Sequence, residues 1–78
     1  YDNDLLYIKA CDYVESGQIA IVIIAHQEVT VKKVIWKQDM MILEATNPNY
    51  ENRYYTKEEV NELPVQIIGR VIFNKISF

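Results

Sequence analysis

Residues 19–37 read I-A-I-V-I-I-A-H-Q-E-V-T-V-K-K-V-I-W-K. The first seven, Ile19 to Ala25, form a nearly continuous apolar run rich in β-branched side chains, the composition of a strand buried on both faces. After Ala25-His26-Gln27-Glu28 the chain resumes with Val29 to Lys37. That spacing predicts a β-hairpin, although the Asn-Gly or Asp-Gly usual in such a turn is absent. Two adjacent lysines, Lys32 and Lys33, interrupt the second strand.

Side chains alternate along a strand, so Lys33 shares a face with Val29, Val31 and Ile35, and Lys32 shares one with Thr30, Val34 and Trp36. Apolar positions are odd-numbered before the pair and of both parities after it. Either a bulge sits at the lysines, or the strand passes from half-buried to buried on both sides; in both cases one ammonium points toward a partly apolar wall. A lysine so placed has its neutral form favoured by desolvation and can serve as a general base. Strand lysines ordinarily snorkel into water or guard a sheet edge against aggregation. By face counting alone, Lys33 is the odd one out.

Working outward from the hairpin, Lys37-Gln38-Asp39 connects to a further strand, Met40 to Ala45, so three successive strands read as a meander. Leu5 to Lys9 reads as a short strand, and Ala10 to Gln18 as a loop with a Ser-Gly turn signal at Ser16-Gly17. Asn47-Pro48-Asn49-Tyr50 is a strong turn: proline presets φ and asparagine tolerates the left-handed region. Arg53 to Tyr55 reads as a brief strand. Thr56-Lys57-Glu58-Glu59 has the form of a capping box, and Val60 and Leu63 are spaced for a single helical turn before Pro64. Val65 to Phe73 is the last strand, with Gly69 marking a bulge or a bend. Short strands at close spacing with almost no helix predict a mainly β, barrel-like domain.

Composition narrows the function. A chain of 78 residues makes one small domain or a piece of one, with a thin core. The net charge of −3 comes from 11 acidic and 8 basic residues spread along the chain, without the basic stripe that phosphate binding requires. The six tyrosines therefore read as packing and cross-strand pairs and not as base-stacking platforms. Cys11 is the single cysteine, so no internal disulfide forms; with Ala10 and Asp12 as neighbours it has no adjacent base and reads as a filler thiol. His26 stands in a turn with no second histidine, which argues against a metal site. Glu58, Glu59 and Glu62 read as a solvated helix N-terminus and not as a cation site. The apolar run Ile19 to Ala25 is too short to span a bilayer, and no signal-peptide pattern opens the chain, so a soluble, cytoplasmic protein with no membrane partner is expected. The sequence lacks an initiator Met and opens on Y-D-N-D-L-L-Y-I, directly into a strand pattern. It reads as a fragment whose upstream part is missing.

The order of several blocks carries a resemblance: D-N-D-L-L at Asp2 to Leu6, S-G-Q-I-A-I-V at Ser16 to Val22, E-V-T-V-K-K-V at Glu28 to Val34, N-P-N-Y-E at Asn47 to Glu51, and I-I-G-R-V-I at Ile67 to Ile72. Together they resemble the C-terminal, peptidase S24 domain of LexA-like and phage-type repressors, a family that includes the self-cleaving SOS mutagenesis proteins. The T-V-K-K segment and its place in the order are the most specific part. The resemblance implies coiled β-sheets of the LexA and signal-peptidase type with a small SH3-like barrel.

The resemblance also implies a serine peptidase with a Ser-Lys dyad that cuts its own chain between this domain and an N-terminal helix-turn-helix module. Carried over by motif, the dyad lysine is Lys32, the first of the pair, which contradicts the face count unless a bulge or twist shifts the parity. Lys32 would be neutral when active and would take the proton from the serine hydroxyl. The family's serine lies in a segment ahead of the D-G-D-L-L-like block, at which this chain begins. Ser16, in a turn, and Ser77, near the C-terminus, read as non-catalytic, so these 78 residues alone should be inert. The resemblance further implies a homodimer through the C-terminal strands, a RecA-type filament as activator, operator DNA contacted only through the absent N-terminal module, and no cofactor.

Asn3 where the family commonly has Gly, His26-Gln27 where Asp-Gly is usual, and a longer stretch from Thr56 to Leu63 favour a phage-type or divergent regulator over LexA itself. Two other readings stand beside this one. A dimerisation or interaction module could keep the fold without the nucleophile, and a signal-peptidase relative would share Ser-Lys chemistry but carry an upstream transmembrane helix.

Overall fold

The computed structural model describes residues 4–45 and 47–75, and side-chain surroundings for residues 7–45 and 47–72. Six strands and one short helix follow in the order β1 (Asp4–Ala10), β2 (Gln18–Ile24), β3 (Glu28–Lys37), β4 (Met40–Glu44), β5 (Arg53–Thr56), α1 (Lys57–Glu62) and β6 (Val65–Lys75). The fold is mainly β, as the spacing of β-branched runs and turns predicts. All six strands join one antiparallel sheet in the order β1-β6-β2-β3-β4-β5, so β2 to β5 form a meander and β6 returns to pair with both β2 and β1.

Turn chemistry explains the connections. In the β2–β3 hairpin, Ala25 and His26 both take positive φ, at 55° and 58°, in the left-handed region that a Gly or Asn would enter more easily. The β3–β4 turn places Gln38 there too, at 54°. Asn47 Oδ1 accepts from the Asn49 N–H, and the Asn47 carbonyl accepts from the Tyr50 N–H, which makes the Asn-Pro stretch the turn its residues announce. The predicted capping box is complete: Thr56 Oγ1 accepts from the Glu59 N–H, and the Glu59 carboxylate accepts from the Thr56 N–H. The helix it starts runs for six residues, longer than the single turn read from the sequence.

The core lies on one face of the sheet. Ala20, Val22 and Ile24 of β2, Val34 of β3, Met41 and Leu43 of β4, and Val65 and Ile67 of β6 are buried there, joined by Val14 from the β1–β2 loop. Cys11, Trp36, Tyr55 and Val60 pack against this cluster and close its margin. Trp36 donates its indole N–H to the Val14 carbonyl at 2.7 Å and stacks on Tyr13 at a centroid distance of 5.7 Å. These contacts fasten the long loop over the core; Trp36 and Tyr55 take the packing role expected of the aromatic residues, whereas Tyr7, Tyr50 and Tyr54 remain exposed.

Two expectations need correction. The run Ile19 to Ala25 was expected to be buried on both faces, but burial alternates along β2: Ala20, Val22 and Ile24 are buried, while Ile19, Ile21 and Ile23 are only half-buried. β-branched residues suit either face of a strand, so composition does not count covered faces. The second concerns the bulge, one of the two alternatives at the lysine pair; the other, a strand that becomes more covered past the lysines, agrees with burial that rises from exposed Glu28, Val29 and Val31 to half-buried or buried Lys32 to Trp36. No register shift occurs in β3, which pairs residue by residue with β2 from Gln18↔Val34 to Ile24↔Glu28. The bulge lies instead in β6, where Ile21↔Gly69 is followed by Val22↔Ile67 and Ile68 is the extra residue. This agrees with the irregularity read at Gly69. A Cβ on Gly69 would stand 3.0 Å from Ile8 Cγ2 and 3.4 Å from the Lys9 carbonyl, so glycine lets β1 approach β6 there.

Candidate functional site at Lys32

Regular alternation puts Lys32 on the core face, in line with Thr30, Val34 and Trp36, as the face count has it. The count erred in its choice of covered face. Val29 and Val31, the apolar residues that made Lys33 look anomalous, are 62% and 48% exposed, whereas Val34 is completely buried. The motif's choice of Lys32 and the regular strand are therefore compatible without a parity shift.

Three features of the chain make room for the lysine. Across β2 it faces Ala20, a fully buried residue with a small side chain. On the other side β4 ends at Glu44, the partner of Lys33, so the strand ladder stops one position short of Lys32. The Asn47–Asn52 segment takes over from β4 there, tied down by Asn52 Oδ1, which accepts from the Ala45 N–H at 3.0 Å. The result is an open groove of about 440 Å³ lined by Lys32, Tyr50, Glu51, Asn52 and Arg53.

Within the groove the Lys32 ammonium donates to Thr30 Oγ1 at 2.9 Å, a part-buried bond between residues two apart on one face of β3. Two residues further back on the same face, Glu28 meets Arg53 in a two-pronged ion pair, with Nη1–Oε1 at 3.0 Å and Nη2–Oε2 at 2.9 Å. The hydrogen bond from Arg53 holds the Glu28 carboxyl below the usual carboxylate range, with smaller contributions from the Arg53 and Lys32 charges. The same pairing, with help from Tyr55, pushes the Arg53 guanidinium further up. Both side chains are about half exposed, so the pair defines geometry more than it adds stability.

The other residues singled out by the sequence lie elsewhere. Lys33 points to the opposite face, where its ammonium stands 3.8 Å from Glu44. Ser16 accepts from the Trp36 N–H at 3.1 Å, four residues along β3 from Lys32, and serves the turn. Cys11 is a free, half-buried thiol against the core, and His26 is exposed in the hairpin turn. Glu59 is occupied by the capping box, and Glu58 and Glu62 are exposed. Ser77 lies outside the described residues.

Sequence reasoning passed over Glu28, Thr30, Tyr50 and Arg53 as site residues. The first two carried a signal, since they stand four and two positions before Lys32 and therefore on its face. The other two did not, because their place depends on how β5 pairs with β4, through Leu43↔Arg53.

Comparison with known proteins places a family on this chain. The model of the "Peptidase S24-like" family matches residues 1–72. Over 71 residues, 91% of this chain, the sequence is 40% identical to a LexA repressor of Gluconobacter oxydans (strain 621H) and 34% identical to a LexA repressor of Ruegeria sp. (strain TM1040). The matched stretch covers 28% and 27% of those two proteins, so this chain spans about a quarter of the relatives' length. With the family model matched along nearly the whole chain and the T-V-K-K strand in place within the sheet, this chain belongs to the peptidase S24-like family, as a LexA-like C-terminal domain.

Proposed function

We propose that this domain provides self-cleavage and dimerisation to a LexA-like or phage-type transcriptional repressor, with Lys32 as general base toward a serine supplied from outside these 78 residues. The observation that carries the reading is the Lys32 amine, held by Thr30 on the core face of the sheet and opening on the groove of about 440 Å³. A neutral lysine amine has two N–H donors and one lone pair. One donor engaged by Thr30 Oγ1 orients the lone pair, which then accepts the serine hydroxyl proton as the oxygen attacks the scissile carbonyl. The protonated lysine returns the proton to the leaving amine, as in other nucleophile-and-base pairs. Cleavage would separate this domain from the DNA-binding module and end repression. Homodimerisation, a RecA-type activator and operator contact through another domain belong to the same reading.

The test is Lys32→Ala in the full-length protein, with self-cleavage followed on gels at alkaline pH, where a lysine base is deprotonated most easily. Undiminished cleavage would sink the assignment. A second reading, an interaction module without catalysis, draws support from the sheet face opposite the core, where Val29, Val31 and Ile8 remain exposed. Loss of the dimer in Val31→Asp, in a protein that never cleaves, would favour it.

A further inference from the structure

Arg53, which lines the groove, pairs with Glu28, and self-cleavage chemistry does not require that charged pair. Glu28, Thr30 and Lys32 occupy successive positions on the core face of β3, and Arg53 reaches Glu28 from the outermost strand, β5. We propose that Arg53 is a positioning residue for Lys32: clamped on Glu28 by two hydrogen bonds, it keeps that carboxylate from pairing with the Lys32 ammonium and so helps the lysine release its proton. The inference rests on the reading of Lys32 as a base.

The geometry explains the need for a clamp. Glu28 and Lys32 are four residues apart along a strand, roughly 13 Å between Cα atoms, and a glutamate and a lysine side chain extended toward each other close most of that gap. A free Glu28 would therefore find Lys32, and a carboxylate partner serves only the charged lysine. Thr30 stands between them and accepts from Lys32 whether the amine is charged or neutral. With both Glu28 oxygens taken by Arg53, Lys32 is left to the hydroxyl. The Arg53 charge also offsets the field of the carboxylate.

Other groups around Lys32 are few. β2 presents uncharged Ala20 opposite it, with Gln18 and Val22 on either side. The Asn47–Asn52 segment brings Tyr50 and Glu51 to the groove. Arg70 of β6 pairs with Ala20, two strands away on the same face. Lys33 and Glu44 occupy the opposite face. None of these changes in the variants below, so their contributions cancel.

The experiment titrates Lys32 itself in the full-length protein, by NMR of ¹³Cε-labelled lysine with the signal assigned through Lys32→Arg, and follows self-cleavage against pH in parallel. Arg53→Ala is expected to move the Lys32 midpoint upward by about half a pH unit, the size of a partly screened charge interaction across roughly 8 Å. Glu28→Gln should move it downward by a similar amount. Arg53→Lys, which keeps a cation on Glu28, should stay near the parent. The double variant Arg53→Ala/Glu28→Gln should lose the upward shift, because the carboxylate that Arg53 restrains is gone.

An unmoved midpoint in Arg53→Ala, or an upward shift that persists in the double variant, overturns the proposal. A cleavage rate lowered equally at every pH together with an unmoved midpoint would make Arg53 a wall of the groove and nothing more. Cleavage that survives Lys32→Ala refutes the base reading instead, and the titration still decides whether Arg53 governs the protonation of Lys32.

Discussion

Lys32 and Lys33 are adjacent in sequence, and the sheet gives them different surroundings. Lys32 rises from the core face opposite Ala20, bonded to a hydroxyl at the edge of a groove. Lys33 lies on the other face between Ile19 and Glu44, 3.8 Å from a carboxylate and 42% exposed. The difference arises from the pleat, which sends successive side chains to opposite sides, and from the end of β4, which gives Lys33 a cross-strand partner and leaves Lys32 beside open space. A hydroxyl acceptor accommodates a neutral amine, whereas a carboxylate rewards only the charged one. Identical side chains one residue apart thus receive a hydroxyl partner beside a groove and a carboxylate partner on the opposite face.

The largest expected effect breaks that comparison directly. In the full-length protein Lys32→Ala should lower the self-cleavage rate by about a thousandfold or more, as loss of a base from a nucleophile pair does. Lys33→Ala should change it by less than about twofold. Equal losses measured on the same gels would mean that the two faces do not differ in the way described.

Stability should separate the faces as well. Leu43→Ala, at a completely buried position on the core face, should cost about 2–5 kcal/mol in denaturant unfolding. Val31→Ala on the other face, 48% exposed, should cost within about 0.5 kcal/mol. A cost for Val31→Ala near that of Leu43→Ala would show that the second face is covered in the intact protein.

Within the Lys32 face, Thr30→Val removes the acceptor at 2.9 Å and should slow cleavage about tenfold, the kinetic equivalent of one hydrogen bond, with Thr30→Ser close to the parent. Parent-like cleavage in Thr30→Val would mean that the hydroxyl does not orient the amine. A smaller gain comes from the hairpin that sets the β2–β3 register. His26→Gly at φ 58° should stabilise the protein by about 0.5–1 kcal/mol in thermal melts, provided its exposed side chain makes no contact of its own.

The smallest effect concerns pH. The folded protein holds the Glu28 carboxyl below its ordinary value of 4.5, so the ion pair's contribution is present above that value and fades as pH falls through the lower folded one. Melts of the parent and Arg53→Ala should therefore begin to converge as pH falls below the ordinary glutamate value of 4.5 and meet only beneath the lower folded value. Melting curves that stay equally far apart at acid pH would assign the effect of Arg53 to packing.

Much of the fold was legible in the chain because its signals are local. Periodic β-branched residues mark strands, Asn47-Pro48 marks a turn, and Thr56 with Glu59 marks a helix start; each acts within a few residues. The site was legible only in part. The T-V-K-K block marks Lys32 by resemblance and strand parity puts Thr30 on its face; the same parity extends to Glu28, which the sequence reading passed over. Periodicity could not say which face is covered, and the exposed Val29 and Val31 misled the face count for that reason.

The sequence by itself determined where strands and turns fall, that Lys32 and Lys33 point to opposite sides, and which family the order of blocks resembles. Only the tertiary structure decided that the side of Lys32 is the core side. It also decided that Ala20 lies opposite, that β4 stops short, and that Arg53 reaches Glu28 across 25 positions of sequence. The physical reason is one of range: alternation is a property of the local backbone, whereas coverage and cross-strand partners depend on register between segments distant in the chain.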